Sequence, residues 1–562
     1  MRACSTRIVA GADRSIAAAR ELGAIRQLAE AALLLAVAVI LFRGFVAEGY
    51  MISTGSMAPC LLGYHRQIVC PDCAFAFSRG TRHDIDDSIL AQGSRERSDF
   101  GIIAEQATVC PNCGFADIDI HLAPRNEGDQ LLVQKNFFQW RSPRRWEVVV
   151  FRHPDDAEQA YVKRVVGLPF EEIQLVDGDV FVNGGLQRKT LTVQRSMRIG
   201  VYDNDFEPLD QLWEPRWRPS RTDSGWSPDG HSFRFQSGSK REGEVADTQW
   251  LGYRHWLRSG GNHRTSVTLD QWPDDAPAPA NLPFPGVAYD VEQKRLQCTG
   301  VLEHSDAAGL LAMTQDADFQ LAVQRLEAQS HVGPITDVYG YNHPQSAEVP
   351  FAVHDLMIEF SLEALSRTGQ FCIRMHDGWH WFDAVIDFDE QRVRLFSDDS
   401  VEPLRSAALP RKRFVNPVQV EMSLFDRQVL LAVDGQEVFP ALRYAAENEP
   451  RELPREPVLL GASGGELRIE QLRLYRDVYY TPKHAGSPGD SFFVGAEELF
   501  VLGDNSPVSV DSRLWDSTTI PERLLIGKPF LVHLPSKQER VEIGGSVRHI
   551  RIPDFSRVRY IQ

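Results

Sequence analysis

Ser56 stands in Thr54-Gly55-Ser56-Met57-Ala58-Pro59, and Lys163 in Tyr161-Val162-Lys163-Arg164-Val165-Val166-Gly167-Leu168-Pro169. A third polar string, Gly503-Asp504-Asn505-Ser506-Pro507-Val508-Ser509-Val510-Asp511-Ser512-Arg513, follows far downstream. A serine hydroxyl and a lysine amine brought together form a nucleophile and a base. Such a pair can open an amide if the amine is neutral and the developing oxyanion meets donors. An exposed lysine titrates near about 10.4, so it serves as a base only where burial among apolar groups disfavours the ammonium form. Val162, Val165 and Val166 supply that neighbourhood for Lys163. The amine would take the Ser56 proton, hand it to the departing amine and later activate water against the acyl-enzyme.

A second constellation is made of cysteines. Val69-Cys70-Pro71-Asp72-Cys73-Ala74-Phe75 and Val109-Cys110-Pro111-Asn112-Cys113-Gly114-Phe115 are nearly equivalent turns. Four thiolates from two such turns can surround one tetrahedral zinc. The 36 residues between Cys73 and Cys110 exceed the usual ribbon spacing and must loop out. Cys70, Cys73, Cys110 and Cys113 are therefore read as a closed structural zinc site with no position open for catalysis, and disulfides are the competing reading outside the cytoplasm. Cys4, Cys298 and Cys372 are scattered and read as free thiols, and His376 and His380 flank a hairpin rather than a metal or sugar site.

The elements that must position these groups are mainly β. Leu131-Leu132-Val133, Trp146 to Phe151, Tyr161 to Val166, Ile173-Gln174-Leu175 and Val180-Phe181-Val182 are β-branched and aromatic runs broken by Asp-Gly and Asn-Gly, which suggests an antiparallel sheet. Five tryptophans lie between Trp213 and Trp256, and a proline-rich loop follows at 273–279. Strand signals return from about 350 to 480 with an Asp434-Gly435 turn, a pattern similar to a laminin-G or concanavalin-type jelly roll.

At 562 residues the chain exceeds what one core supports, so several domains are expected. A net charge of −17 and a pI near 5.5 argue against a nucleic-acid partner, which needs a concentrated basic surface. Arginines crowd residues 1–26, and an apolar run, Ala31 to Phe42, follows them. Extended on both sides, it predicts one tilted transmembrane helix over 28–47 with a cytoplasmic N-terminus.

The three polar strings in this order, beside an apolar anchor, resemble bacterial type I signal peptidase over roughly 25–185 and 488–535. The resemblance implies a membrane-bound Ser/Lys endopeptidase of the bacterial inner membrane, single-pass, with its catalytic part on the extracytoplasmic face. It would remove signal peptides from exported preproteins and need no cofactor for catalysis. Ser56 and Lys163 take the catalytic positions, and the Ser56 amide and Thr54 hydroxyl those of the oxyanion hole. Ser509 matches the serine that orients the lysine, Asp511 and Arg513 a supporting ion pair, and Asp504 a bracing acid. Thr54 replaces a common serine and keeps the donor. Cys60 replaces the threonine usual after the proline, which alters local packing.

The implied layout is a basic N-terminus (1–27), an anchor (28–47), core parts at 48–69, 128–188 and 488–562, a cysteine insertion (70–115) and an inserted sandwich (190–480) with an irregular excursion at 258–350. Its partners would be signal peptides and the lipid bilayer; the sandwich could position substrates, contact the translocation machinery or merely pack. Two other readings are kept. One is a catalytically silent anchored protein whose sandwich recognises glycan or protein. The other is a Ser/Lys autoprotease of the repressor type, which would need no anchor.

Overall fold

Val148–Arg152 and Ala160–Gly167 are runs of β-branched residues with both faces largely buried, the pattern of central strands. They pair antiparallel with Val149 opposite Lys163, and this register sets the base in the middle of a sheet. That sheet has eight strands, ordered Ala47–Met51, Gln130–Gln134, Leu525–Val532, Val148–Arg152, Ala160–Gly167, Glu498–Leu502 and Ile520–Pro521, with Arg559–Tyr560 against Leu525–Val532. Segments far apart in the chain thus share one sheet. A four-stranded sheet packs beside it, from Gly185–Leu186, Asp179–Val182, Glu172–Val176 and Ser491–Phe493. Its Asp177-Gly178 and Asn183-Gly184 turns both carry positive φ at each residue, as the hairpin signals predict.

The structure is a computed structural model that describes residues 26–39, 41–81, 107–116, 118–154, 159–209, 213–237, 247–258, 264–279, 282–284, 286–342, 350–398, 400–409, 416–482, 491–533, 536–543 and 546–561. Cys4, most of the basic N-terminus and much of the segment between the two cysteine turns lie outside these residues.

The inserted sandwich is two facing sheets. One runs Trp226–Asp229, Ser232–Gln236, Glu466–Arg476, Leu356–Ala364, Val418–Ser423, Gln428–Val433 and Gln436–Glu437, with Ile199–Asp203 and Leu442–Arg443 paired to its strands. The other runs Trp217–Pro219, Gln249–Tyr253, Val458–Ser463, Gln370–His376, Trp381–Asp387, Arg392–Ser397 and Arg405–Ala408. Phe235, Tyr253, Phe360, Phe371 and Phe382 fill the space between them. The tryptophan-rich segment supplies strands to both sheets, and His376 and His380 lie at the hairpin between Gln370–His376 and Trp381–Asp387.

The excursion at 258–350 is not irregular. Arg264–Thr268, Val287–Asp290 and Arg295–Thr299 form a three-stranded sheet, covered by the helices His304–Leu311 and Ala317–Ser330 through Phe319, Val323 and Leu326. Its signal is weak in sequence because the strands are short and separated by turns.

The sandwich joins the core through a neck of buried ions. Lys189, where the chain leaves the core, donates to Asp426 at 2.5 Å and to Asp477, where it returns, at 2.7 Å. Asp179, Asp355 and Asp426 crowd together here, but Arg427 lies 3.2 Å from Asp179 and Arg451 3.5 Å from Asp355. Each carboxylate therefore faces a cation, which makes the cluster an ion network that ties the insertion down.

One expectation is corrected. The apolar run does not stay helical through residue 47: among the described residues helix covers 26–39 and residue 41, a π turn follows at Phe42–Val46, and Ala47 already opens the strand Ala47–Met51. Among the described residues no helix is long and apolar enough to cross a membrane. Pairing is the physical reason, because Ala47 to Met51 bond along Gln134 to Gln130 and so leave the helix. Leu28, Leu33, Leu34 and Leu35 remain exposed.

Candidate active site

The turn around Ser56 is held from below. Met57, Ala58 and Leu61 are buried, and Met57 and Leu61 pack with Leu131, Val133, Val148 and Val150 of the central sheet. Gly55 O accepts the Ala58 N–H at 3.0 Å, and Met57 O accepts that of Leu61 at 2.8 Å. Asp129 fastens the far end, accepting from Leu62 N at 3.0 Å and from Arg557 at 2.8 Å. Thr54 is exposed and Ser56 half-buried, with their hydroxyl oxygens 3.5 Å apart. The apolar residues of the motif thus pin the turn while its two hydroxyls stay accessible.

Lys163 is buried in its strand, and its Nζ donates to Ser509 Oγ at 3.1 Å. Burial disfavours its ammonium and lowers the pKa to about 8, even though Asp511 and Asp504 pull in the opposite direction. Gly503 explains how this group reaches the Ser56 turn. A Cβ at Gly503 would fall 2.2 Å from Ser509 Oγ and 2.4 Å from the Ser56 carbonyl oxygen. The bare Cα lets both approach closely, and Asn505 N donates to Ser56 O at 3.0 Å. Ser56, Lys163, Ser509 and Thr54, predicted from three separate strings, are drawn to one place.

Two buried ion pairs frame it. Asp511 receives Arg513 Nε and Nη2, both at 2.8 Å, and accepts Gly503 N at 3.0 Å. Arg513 also donates to Ser506 Oγ at 2.7 Å. Asp504 braces the region through Arg164, which donates to its two oxygens at 2.7 and 2.6 Å and to Trp146 O at 2.6 Å. Arg164 was not singled out in the sequence, although a signal existed. Neighbours on a strand point to opposite faces, so a Lys-Arg pair inside an apolar run must bury a cation that needs an anion. Asn505, Tyr339, Tyr341 and Asn342 also reach the site; the last three come from the insertion, and no local pattern marks them.

The four paired cysteines converge as well. Cys70, Cys73, Cys110 and Cys113 are buried, and their sulfurs lie within 4.8 Å of one another. The two turns are alike: Cys70 N donates to Phe75 O and Cys110 N to Phe115 O, both at 2.9 Å. Cys70 and Cys113 sulfurs are 3.6 Å apart and those of Cys73 and Cys110 3.7 Å. A tetrahedron with metal–sulfur distances of about 2.3 Å has edges of about 3.8 Å. The donor set therefore fits a closed zinc. Cys298 and Cys372 are buried free thiols, and Cys60 is half-buried and free.

Residues 123–233 and 420–534 match the family model described as signal peptidase, peptidase S26. The Ser56 turn precedes the first matched segment, and the second runs through sandwich strands before it reaches Asp504 to Arg513. A probable signal peptidase I-2 of Synechocystis is 40% identical over 10% of this chain and 28% of its own length. A signal peptidase I of Leptolyngbya laminosa is 39% identical over 10% of this chain and 31% of its own. That of Rickettsia akari is 46% identical over 12% and 22%. The chain thus spans under a third of these curated relatives. Among solved structures, a carbohydrate binding module CBM66 from Bacillus subtilis aligns at 10% identity, covering 21% of this chain and 74% of that one, with a TM-score of 0.18. A Caenorhabditis elegans galectin aligns at 16% identity over 21% and 81%, with a TM-score of 0.17.

Proposed function

We propose that the chain is a serine endopeptidase that removes N-terminal signal peptides from exported preproteins through an acyl-enzyme on Ser56. The observation that carries this reading is a buried lysine, Lys163, with a lowered pKa, joined through Ser509 to the turn that presents Ser56. Lys163 acts as the general base toward Ser56 and as the acid toward the leaving amine. The Ser56 N–H and Thr54 hydroxyl receive the oxyanion. Ser509 orients the amine, Asp511 and Arg513 fix the backbone behind it, and Asp504 with Arg164 holds the strand that carries it. Signal-peptide substrates are inferred from the family match. Membrane contact is inferred from the exposed leucines of the helix at 26–39, which suit a lipid surface better than water.

The test is cleavage of a purified preprotein, with product termini identified by mass spectrometry, across pH. The expected result is a cut at the signal junction and a kcat/KM that rises tenfold per pH unit below about 8 and levels off above it, because Lys163, at about 8, works only when neutral. A folded chain that cuts none of several preproteins would sink the reading and favour a silent binding protein.

Structural zinc at Cys70, Cys73, Cys110 and Cys113 is part of the same proposal. Metal analysis should return one zinc per chain, and Cys110→Ser should abolish it and loosen the cysteine unit from the sandwich. Two disulfides found by mass spectrometry under non-reducing conditions would replace the zinc reading.

A further inference from the structure

Residues Tyr339-Gly340-Tyr341-Asn342 leave the inserted domain and lie directly on the Ser56 turn. Tyr339 OH donates to Asp504 O at 2.6 Å and Tyr341 OH to Tyr64 O at 3.0 Å. The backbone is fastened too, since Tyr341 O accepts Gly80 N at 2.9 Å and Arg79 Nη1 at 2.9 Å. Gly340 meets the cysteine unit, where an added Cβ would fall 2.8 Å from Pro111 Cγ. A cavity of about 750 Å³ adjoins the strap, lined also by Cys60, Leu62, Pro111 and Asp504. Hydrogen bonds and the burial of Tyr339 and Tyr341, the latter packed on Ala58 and Leu62, hold it in place.

Two contacts reach the catalytic backbone. Asn342 and Asn505 form a reciprocal amide pair, each Nδ2 donating to the other's Oδ1 at 2.7 Å. The second hydrogen of Asn505 Nδ2 goes to Gly55 O at 2.9 Å. An amide has two donors and one acceptor oxygen, so this pairing satisfies the fully buried Asn505 side chain. Gly55 C=O and Ser56 N–H belong to one planar trans peptide unit, so a bond that fixes the carbonyl fixes where the N–H points. Tyr341 fills the space where a side chain at residue 55 would stand, because a Cβ there would be 2.1 Å from Tyr341 Cε1.

We infer that this strap, a part of the insertion, positions the oxyanion donor: Asn342 locks Asn505, Asn505 holds the Gly55–Ser56 peptide plane, and Tyr341 clamps Gly55 from outside. The inference rests on the peptidase reading. Asn342 and Tyr341 are positioning residues and touch no reacting atom. It gives the insertion a role in catalysis and makes Gly55 necessary because of a ring brought from a different domain.

The experiment uses the full chain with Asn342→Leu, Tyr341→Ala, Gly55→Ala and the Gly55→Ala/Tyr341→Ala double variant. Preprotein cleavage gives kcat and KM, and deuterium uptake is followed over residues 53–62. Asn342→Leu should lower kcat on the order of tenfold to a hundredfold with KM little changed. Its pH limb should stay near 8, since Lys163 is untouched, and exchange should quicken over 53–62 while the central strands stay protected. Gly55→Ala should lose more activity in the native background than beside Tyr341→Ala, because the double variant removes the clash. Native kcat and exchange in Asn342→Leu would overturn the inference, as would faster exchange across the whole core, or Gly55→Ala losing equally in both backgrounds. A chain that cleaves nothing would sink the peptidase reading, while exchange over 53–62 would still decide whether the strap orders the turn.

Discussion

Ser56→Ala and Lys163→Ala should each lower kcat by roughly four to six orders of magnitude, the effect of removing one member of a nucleophile–base unit. The double variant should be hardly worse than either single one, because the two groups act together. KM should change little, since neither group holds the ground-state peptide. Lys163 gives a second readout. Its burial lowers the pKa from 10.5 to about 8, so the folded state carries an unfavourable ammonium below pH 8. Between about 8 and 10.5 the unfolded chain binds more protons, and stability rises with pH through that window. The penalty is therefore full at neutral pH, and Lys163→Met should stabilise the inactive protein there by up to about 3 kcal/mol. Urea denaturation at pH 7 and pH 10 checks this: the gain should be present at the lower pH and shrink at the higher. A variant that loses both activity and stability at pH 7 would show instead that Lys163 is held as a structural ion.

Asp504→Ala should give the largest loss of stability. It strips the bidentate partner from Arg164, whose side chain is only 1% exposed, and leaves a guanidinium buried beside Trp146. Breaking such a pair from one side costs about 3–5 kcal/mol, because the desolvated charge remains without its counterion. Thermal melting should fall by many degrees, and activity should fall with it, since Arg164 neighbours Lys163 on the same strand. Replacing both members by apolar residues, Arg164→Met with Asp504→Leu, should recover much of the stability because neither charge is then left behind. If the double variant is no more stable than Asp504→Ala, the pair is not what holds this part of the core.

The sequence alone marked the candidate site. Ser56, Lys163 and Ser509 were legible as candidates because each sits in a distinctive string of residue types, and the structure joins two of them, Lys163 Nζ donating to Ser509 Oγ at 3.1 Å. The strands around Lys163 were legible because β-branched runs and Asp-Gly or Asn-Gly turns act over a few residues. The paired cysteine turns were legible for the same local reason. Tertiary structure decided what depends on partners distant in the chain. The apolar run was read as one helix through residue 47, yet Ala47 to Met51 become a strand because Gln130 to Gln134 offer a pairing edge. Arg164 was not singled out, because its counterion Asp504 comes from a segment distant in the chain. Nothing near Gly55 announces Tyr341, and nothing near Asn505 announces Asn342, because those contacts arise only when the insertion folds back onto the core. Local propensity and side-chain chemistry are written residue by residue, whereas burial, register and the pairing of buried polar groups depend on which distant segments the whole chain brings together.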